Sequence, residues 1–110
     1  MQNQPQITTI KNGDGVNFPQ RGQTVTAHYH GTFTDGRVFD SSVQRNKPFQ
    51  FKLGIGQVIK CWDLTVASMS KGQKVKVLCP SAIAYGSRGA GGLIPPNTDL
   101  NFEIELLGFN

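Results

Sequence analysis

The sequence predicts an α+β domain: an antiparallel sheet of five or six strands with one short helix packed across its concave face. Three observations carry this. Four segments alternate apolar and polar residues with the period of a half-buried strand, and a weaker fifth precedes them. Only one stretch has helical spacing. Turn residues part the segments, and there is no internal repeat or low-complexity block. A chain of 110 residues makes one domain, spanning 1–110 with 1–5 as a flexible lead-in, and buries about two-thirds of its unfolded surface.

Ile7 to Ile10 is the weaker first strand. In Val25-Thr26-Ala27-His28-Tyr29-His30-Gly31-Thr32-Phe33 the odd positions are apolar or small and the even ones polar, so Tyr29 faces the core. Thr34-Asp35-Gly36-Arg37 supplies an Asp-Gly turn whose glycine takes positive φ cheaply, and Val38-Phe39 completes a hairpin. Phe49-Gln50-Phe51-Lys52-Leu53 alternates again and ends at Gly54. From Val58 to Met69, Ile59, Trp62, Val66 and Met69 form one helical stripe, with Gly72 placed to stop it. Lys74 to Cys79 puts Val75, Val77 and Cys79 on one face and ends at Pro80. Leu100 to Leu106 is the cleanest alternation, with four apolar residues inward and three polar outward.

Composition removes several function classes. No apolar run approaches the roughly 20 residues of a membrane span. Met1-Gln2-Asn3-Gln4-Pro5-Gln6 has neither the basic nor the apolar region of a secretory signal, and Gln2 excludes myristoylation. The expectation is a cytoplasmic monomer. The net charge of +4 is spread over cations of which no two are adjacent, so no nucleic-acid track forms. Cys61 and Cys79 are too few for a disulfide scaffold. The expectation is two buried, reduced, inert thiols.

His28 and His30 share one strand face, opposite Tyr29, and look away from the aromatic side. No carboxylate or thiol is assured of joining them, so an exposed pair is expected rather than a metal site. Gly86-Ser87-Arg88-Gly89-Ala90-Gly91-Gly92 resembles a phosphate loop only in glycine content, because Leu93-Ile94-Pro95-Pro96-Asn97 follows instead of a helix. It reads as a flap tipped by two exposed aliphatics, Leu93 and Ile94. No nucleophile elbow, carboxylate pair or metal-ligand cluster occurs in the expected contexts, so neither metal nor cofactor is expected.

Trp62 is the sole tryptophan. Tyr29, Phe39, Phe49, Phe51, Tyr85 and Phe102 lie on the apolar sides of distant segments. Together they make either an ordinary aromatic core or an apolar pocket walled by rings.

The ordered series Phe18-Pro19, Gly22-Gln23, Tyr29-His30-Gly31, Asp35-Gly36, Phe39-Asp40-Ser41-Ser42 and Arg45-Asn46-Lys47-Pro48-Phe49 resembles the FKBP-type peptidyl-prolyl cis-trans isomerases. Val58-Ile59-Lys60-Cys61-Trp62-Asp63, Met69-Ser70-Lys71-Gly72, Ala84-Tyr85-Gly86 and Ile94-Pro95-Pro96-Asn97 continue it, so it runs from about Ile7 to Leu107. The resemblance implies a strongly twisted sheet wrapped around the helix, with an apolar pocket between them. Carried over residue by residue, Trp62 becomes the pocket floor and Tyr29, Phe39, Phe49 and Phe102 its walls. The Ile59 backbone N–H and the Tyr85 hydroxyl become donors to ligand carbonyls. Asp40 becomes the polar group beside the twisting bond, held by Tyr29 and Arg45. Val58, Leu93 and Ile94 complete the rim, and the Gln57 carbonyl accepts. The implied catalytic set is Asp40, Tyr85 and Phe39.

The same resemblance implies binding of tacrolimus and rapamycin, with calcineurin or a target-of-rapamycin kinase as partners of the drug complex. A second reading keeps the pocket but makes it a non-catalytic module that holds proline-bearing partners. Three positions depart from the family's usual pattern. Gln57 stands for a common Glu, Ala90 for a larger flap side chain, and Cys61 for a glycine, which puts a thiol near the floor.

Overall fold

A computed structural model describes residues 3–110. The expected lead-in over 1–5 lies partly outside the described residues. The six strands are β1 (Gln6–Lys11), β2 (Thr24–Phe33), β3 (Val38–Ser41), β4 (Phe49–Lys52), β5 (Lys74–Cys79) and β6 (Leu100–Phe109). Helix α1 (Lys60–Ala67) lies between β4 and β5.

All six strands join one antiparallel sheet in the order β1-β5-β6-β2-β3, with β4 also paired to β2. Alternation decides which face is buried. Along β2, Val25, Ala27, Tyr29 and Gly31 point inward, and along β6 Leu100, Phe102, Ile104 and Leu106 do the same. A slip of one residue would expose both sets, so the register Tyr29↔Ile104 and Gly31↔Phe102 is firmly specified. The β2–β3 hairpin closes as the Asp-Gly turn predicts, with Gly36 at φ 95°. The outer edge of β2 is shared: Thr24–Ala27 pairs with β4 and His30–Thr32 with β3. That split sets Phe39 and Phe49 beside the same stretch of β2.

Helix α1 is shorter at both ends than the stripe suggested. Ile59 stays extended at φ −59° and ψ 150°, so helical geometry begins at Lys60. At the other end the Ser68 hydroxyl and N–H both bond the Thr65 carbonyl, which stops the helix well before Gly72. Gly72 instead donates its N–H to the Leu106 carbonyl, joining the chain after the helix to β6. Trp62 and Val66 on α1, with Met69 just beyond it, are buried in one core with Val25, Val75, Val77, Leu100 and Ile104. Each such side chain contributes about 1.5–3 kcal/mol by leaving water.

The cysteines differ from expectation in one respect. Both are buried, at 0% exposure, but they are bonded to each other and no free thiol exists among the described residues. The first turn of α1 lies over the end of β5, which brings the two Cα atoms to 5.7 Å, inside the range a disulfide spans. The expected thiol near the pocket floor is therefore absent.

Among the described residues, no helix is long and apolar enough to cross a membrane.

Candidate active site

A hollow of about 260 Å³ opens between α1 and the sheet, lined by Tyr29, Phe39, Asp40, Phe49, Gln57, Val58, Ile59, Trp62, Tyr85 and Phe102. Five elements and two connecting segments meet there. Strand β2 contributes Tyr29, β3 Phe39 and Asp40, β4 Phe49, the start of α1 Trp62, and β6 Phe102. Gln57, Val58 and Ile59 come from the turn before the helix, and Tyr85 from the long segment between β5 and β6.

The rings settle the choice between filled core and pocket. Trp62 is 4% exposed and meets four of them edge-on: Tyr29 at 4.9 Å, Phe102 at 5.3 Å, and Phe49 and Phe51 each at 5.9 Å. Such T-shaped pairs direct ring edges at faces and hold the tryptophan among the four rings. Phe39 stands against Phe102 at 5.5 Å and completes the wall. The indole N–H of Trp62 has no acceptor among the described residues.

Three polar groups meet at one side. The Tyr29 phenol donates to Asp40 Oδ2 at 2.5 Å, Arg45 Nη2 donates to the same phenol at 3.0 Å, and Arg45 Nη1 bonds Asp40 Oδ1. Partial burial alone would raise the Asp40 pKa, but the bonds from Tyr29 and Arg45 outweigh it and hold the carboxyl below its ordinary value. For Tyr29 burial and the Asp40 bond act together, and the phenol is pushed up. Asp40 is therefore a fixed carboxylate beside an un-ionised phenol.

Besides the Trp62 indole, two donors are without a partner among the described residues. The Ile59 N–H makes no hydrogen bond among the described residues, because Ile59 precedes the helix and its amide is left over. The Tyr85 hydroxyl likewise has no partner there; burial, with the Asp40 charge, raises its pKa, so it stays a donor.

The hollow gathers ten of the thirteen residues named from the sequence. Arg45 is behind Asp40 rather than at the surface of the hollow. Leu93 is exposed on the flap, at 54%. Ile94 is corrected: it is 3% exposed and cannot be a solvent-facing tip. The flap folds back on itself through paired backbone bonds between Ala90 and Ile94, which drives the Ile94 side chain inward.

Sequence reasoning also missed supports. Asp63 accepts from the Gly54 N–H at 2.9 Å and the Gly56 N–H at 3.4 Å, pinning the turn that presents Gln57, Val58 and Ile59. A carboxylate in the first turn of a helix that follows Gly-x-Gly was the available signal. Ser42 Oγ accepts from the Tyr29 N–H at 2.7 Å, fixing the backbone beneath the phenol. His28 and His30 bond Ser42 and Ser41 on the opposite face, and no group able to hold a metal occurs among the described residues.

A family model for FKBP-type peptidyl-prolyl cis-trans isomerases matches residues 15–107. The chain belongs to this family. Its activity is the family's, rotation about the peptide bond before proline, and its substrates are peptidyl-prolyl segments. FK506-binding protein 1 of Rhizopus delemar is 55% identical over 104 residues, covering 94% of this chain and 96% of that protein. Peptidyl-prolyl cis-trans isomerase Fkbp12 of Drosophila melanogaster is 54% identical over 102 residues, 93% of this chain and 94% of that protein. FK506-binding protein 1 of Saccharomyces cerevisiae is 51% identical over 104 residues, covering 94% of the isomerase and 91% of that protein.

Proposed function

We propose that the hollow above Trp62 is where this isomerase twists the X–Pro bond, and that the same hollow binds macrolides of the tacrolimus and rapamycin type. The supporting observation is the open, ring-lined space of about 260 Å³ with a fixed carboxylate at one side and two unpaired donors at its mouth.

The barrier to be lowered comes from amide resonance, roughly 18–20 kcal/mol. Unaided rotation takes about 10–100 s, and reaching milliseconds requires about 5–6 kcal/mol. The planar amide is charge-separated and well solvated by water. Twisted, it loses resonance and is less polar at oxygen, so a dry aromatic box favours the twisted form over the planar one. Neither nucleophile nor metal enters the step.

In this scheme the proline ring sits over Trp62 between Tyr29, Phe49 and Phe102. The Ile59 N–H and the Tyr85 hydroxyl donate to the ligand's carbonyls, and the Gln57 carbonyl accepts. Asp40 and Phe39 face the rotating bond, with Tyr29 and Arg45 holding the carboxylate. Val58 and Leu93 form the rim, while Ile94 supports the flap from beneath. The drug complex would offer calcineurin or a target-of-rapamycin kinase a joint surface around the flap, with Ala90 in it. We place the activity in a cytoplasmic monomer.

A protease-coupled prolyl-peptide assay with and without tacrolimus tests this. Near-stoichiometric drug should abolish the acceleration, and Asp40→Val should lower it in a protein that still unfolds cooperatively. Activity indifferent to saturating drug would refute the shared site.

A further inference from the structure

We propose that the Cys61–Cys79 bond is a redox latch on the active site, closed in the active enzyme and opened by a dithiol reductant. The inference rests on the cytoplasmic reading above, since a disulfide in a reducing compartment is usually transient or redox-sensing rather than structural.

The position of the bond carries the argument. Cys61 occupies the first turn of α1, directly between Ile59 with its free N–H and Trp62 beneath the hollow. Cys79 ends β5, paired with Leu100 of β6. The segment that brings Tyr85 to the hollow leaves from this point, and its root is tied by the Ser81 N–H bond to Asp99 at 2.8 Å. One covalent link therefore joins the floor of the site to the root of its opposite wall.

Opening the link has a steric consequence. Bonded sulfurs sit inside the distance two unbonded atoms tolerate, and both side chains are at 0% exposure in the core. Two thiols released from the bond must repack within that closed core, and a close-packed core answers such a change by shifting its surroundings. The first turn of α1 carries one of the two sulfurs, with Trp62 next to it. Displacement of about 1 Å at a catalytic site can cost around a hundredfold in rate.

The latch opens by thiol–disulfide exchange with the dithiol. A reductant thiolate attacks one sulfur during a local opening, the Cys61–Cys79 bond breaks, and the departing cysteine leaves as thiolate and takes a proton. The reductant's second thiol then displaces the remaining cysteine. Two electrons pass to the cysteine pair, and the dithiol becomes a disulfide.

The full chain, oxidised, is equilibrated across a graded series of reduced to oxidised dithiothreitol. Prolyl-isomerase kcat/KM and the thiol count after denaturing alkylation are read on the same samples. We expect kcat/KM to fall by about fivefold or more in step with the appearance of two thiols, and to return on reoxidation. The double variant Cys61→Ala, Cys79→Ala, or Cys61→Gly, Cys79→Ala should that one not fold, is expected to ignore the reductant. Fully reduced enzyme within less than about fivefold of the oxidised rate overturns the latch. So does a bond that survives the thiol ratios of a reducing cytosol, or an equal loss in the double variant. Because the readout is isomerisation, failure here is distinct from failure of macrolide binding.

Discussion

Tyr29 and Asp40 share a hydrogen bond of 2.5 Å across the β2–β3 pair, from phenol to carboxylate. The two residues sit on neighbouring strands because Gly31 pairs with Asp40 in the ladder. Arg45 closes the arrangement by reaching both. A carboxylate so held keeps its charge in one place beside an apolar hollow, which a flexible aspartate on a loop would not.

Removing only the phenol hydroxyl isolates that relationship. Tyr29→Phe keeps the ring contact to Trp62 at 4.9 Å but leaves Asp40 one partner short. Isomerase kcat/KM should fall about tenfold, and urea unfolding should show a loss of about 1–2 kcal/mol, the range for a bond to a charged group discounted for partial exposure. Full activity in this variant would mean that the position of Asp40 does not matter to the reaction.

The pKa directions set a pH window. Asp40 is lowered from 3.8, so its contribution to stability is fully present above that pH and fades as pH falls through the lower folded value. Tyr29 is raised from 10.0. Its folded form holds the proton longer than the unfolded chain, so its contribution is complete below that pH and fades as pH rises further. Asp14 and Asp35 share the acid direction through local bonds to backbone N–H groups. Asp40→Asn should therefore make the acid limb shallower without abolishing it, as read from urea midpoints across the acid range. An unchanged limb would show that Asp40 gains nothing from Tyr29 and Arg45.

Much of this is legible in the sequence. Val25, Ala27, Tyr29, Leu100, Phe102 and Ile104 announce their strands because a sheet with one buried face imposes a period of two on its sequence. Ten of the residues that the resemblance names line one hollow. The disulfide was not legible. Cys61 and Cys79 are separated by 18 positions, and whether such a pair bonds depends on where a helix turn lands over a strand end. Ile94 was misjudged for a related reason: an aliphatic beside a glycine-rich stretch looks exposed until the backbone pairing with Ala90 turns it inward. The helix ended early because Ser68 satisfied its carbonyls, a local competition that an apolar stripe does not register.

Trp62 makes the pocket observable in solution. It is the one tryptophan of the chain, so any ligand seated above it should change the intrinsic emission. Trp62→Leu removes the floor while keeping an apolar side chain, and should weaken macrolide binding about tenfold or more, a loss typical of an aromatic anchor. Unchanged emission of the parent protein on saturation with tacrolimus would place the ligand elsewhere.

Gly31 tests how closely the walls are fitted. It lies on β2 opposite Phe102, and a Cβ there would stand 2.7 Å from Phe39 Cζ and 2.9 Å from Phe102 Cε1. The residue is glycine for lack of room, not for its backbone angle, since its φ is not among the positive values. Gly31→Ala must push both rings, and overfilling a packed core costs about 1–3 kcal/mol. The displaced rings are the ones proposed to face the rotating bond and the proline. Isomerase kcat/KM should therefore fall by more than the loss of folded protein explains, measured at a temperature where the variant is still folded. Activity preserved despite the added methyl would show the walls to be yielding, and the dry, fitted box would no longer account for the rate.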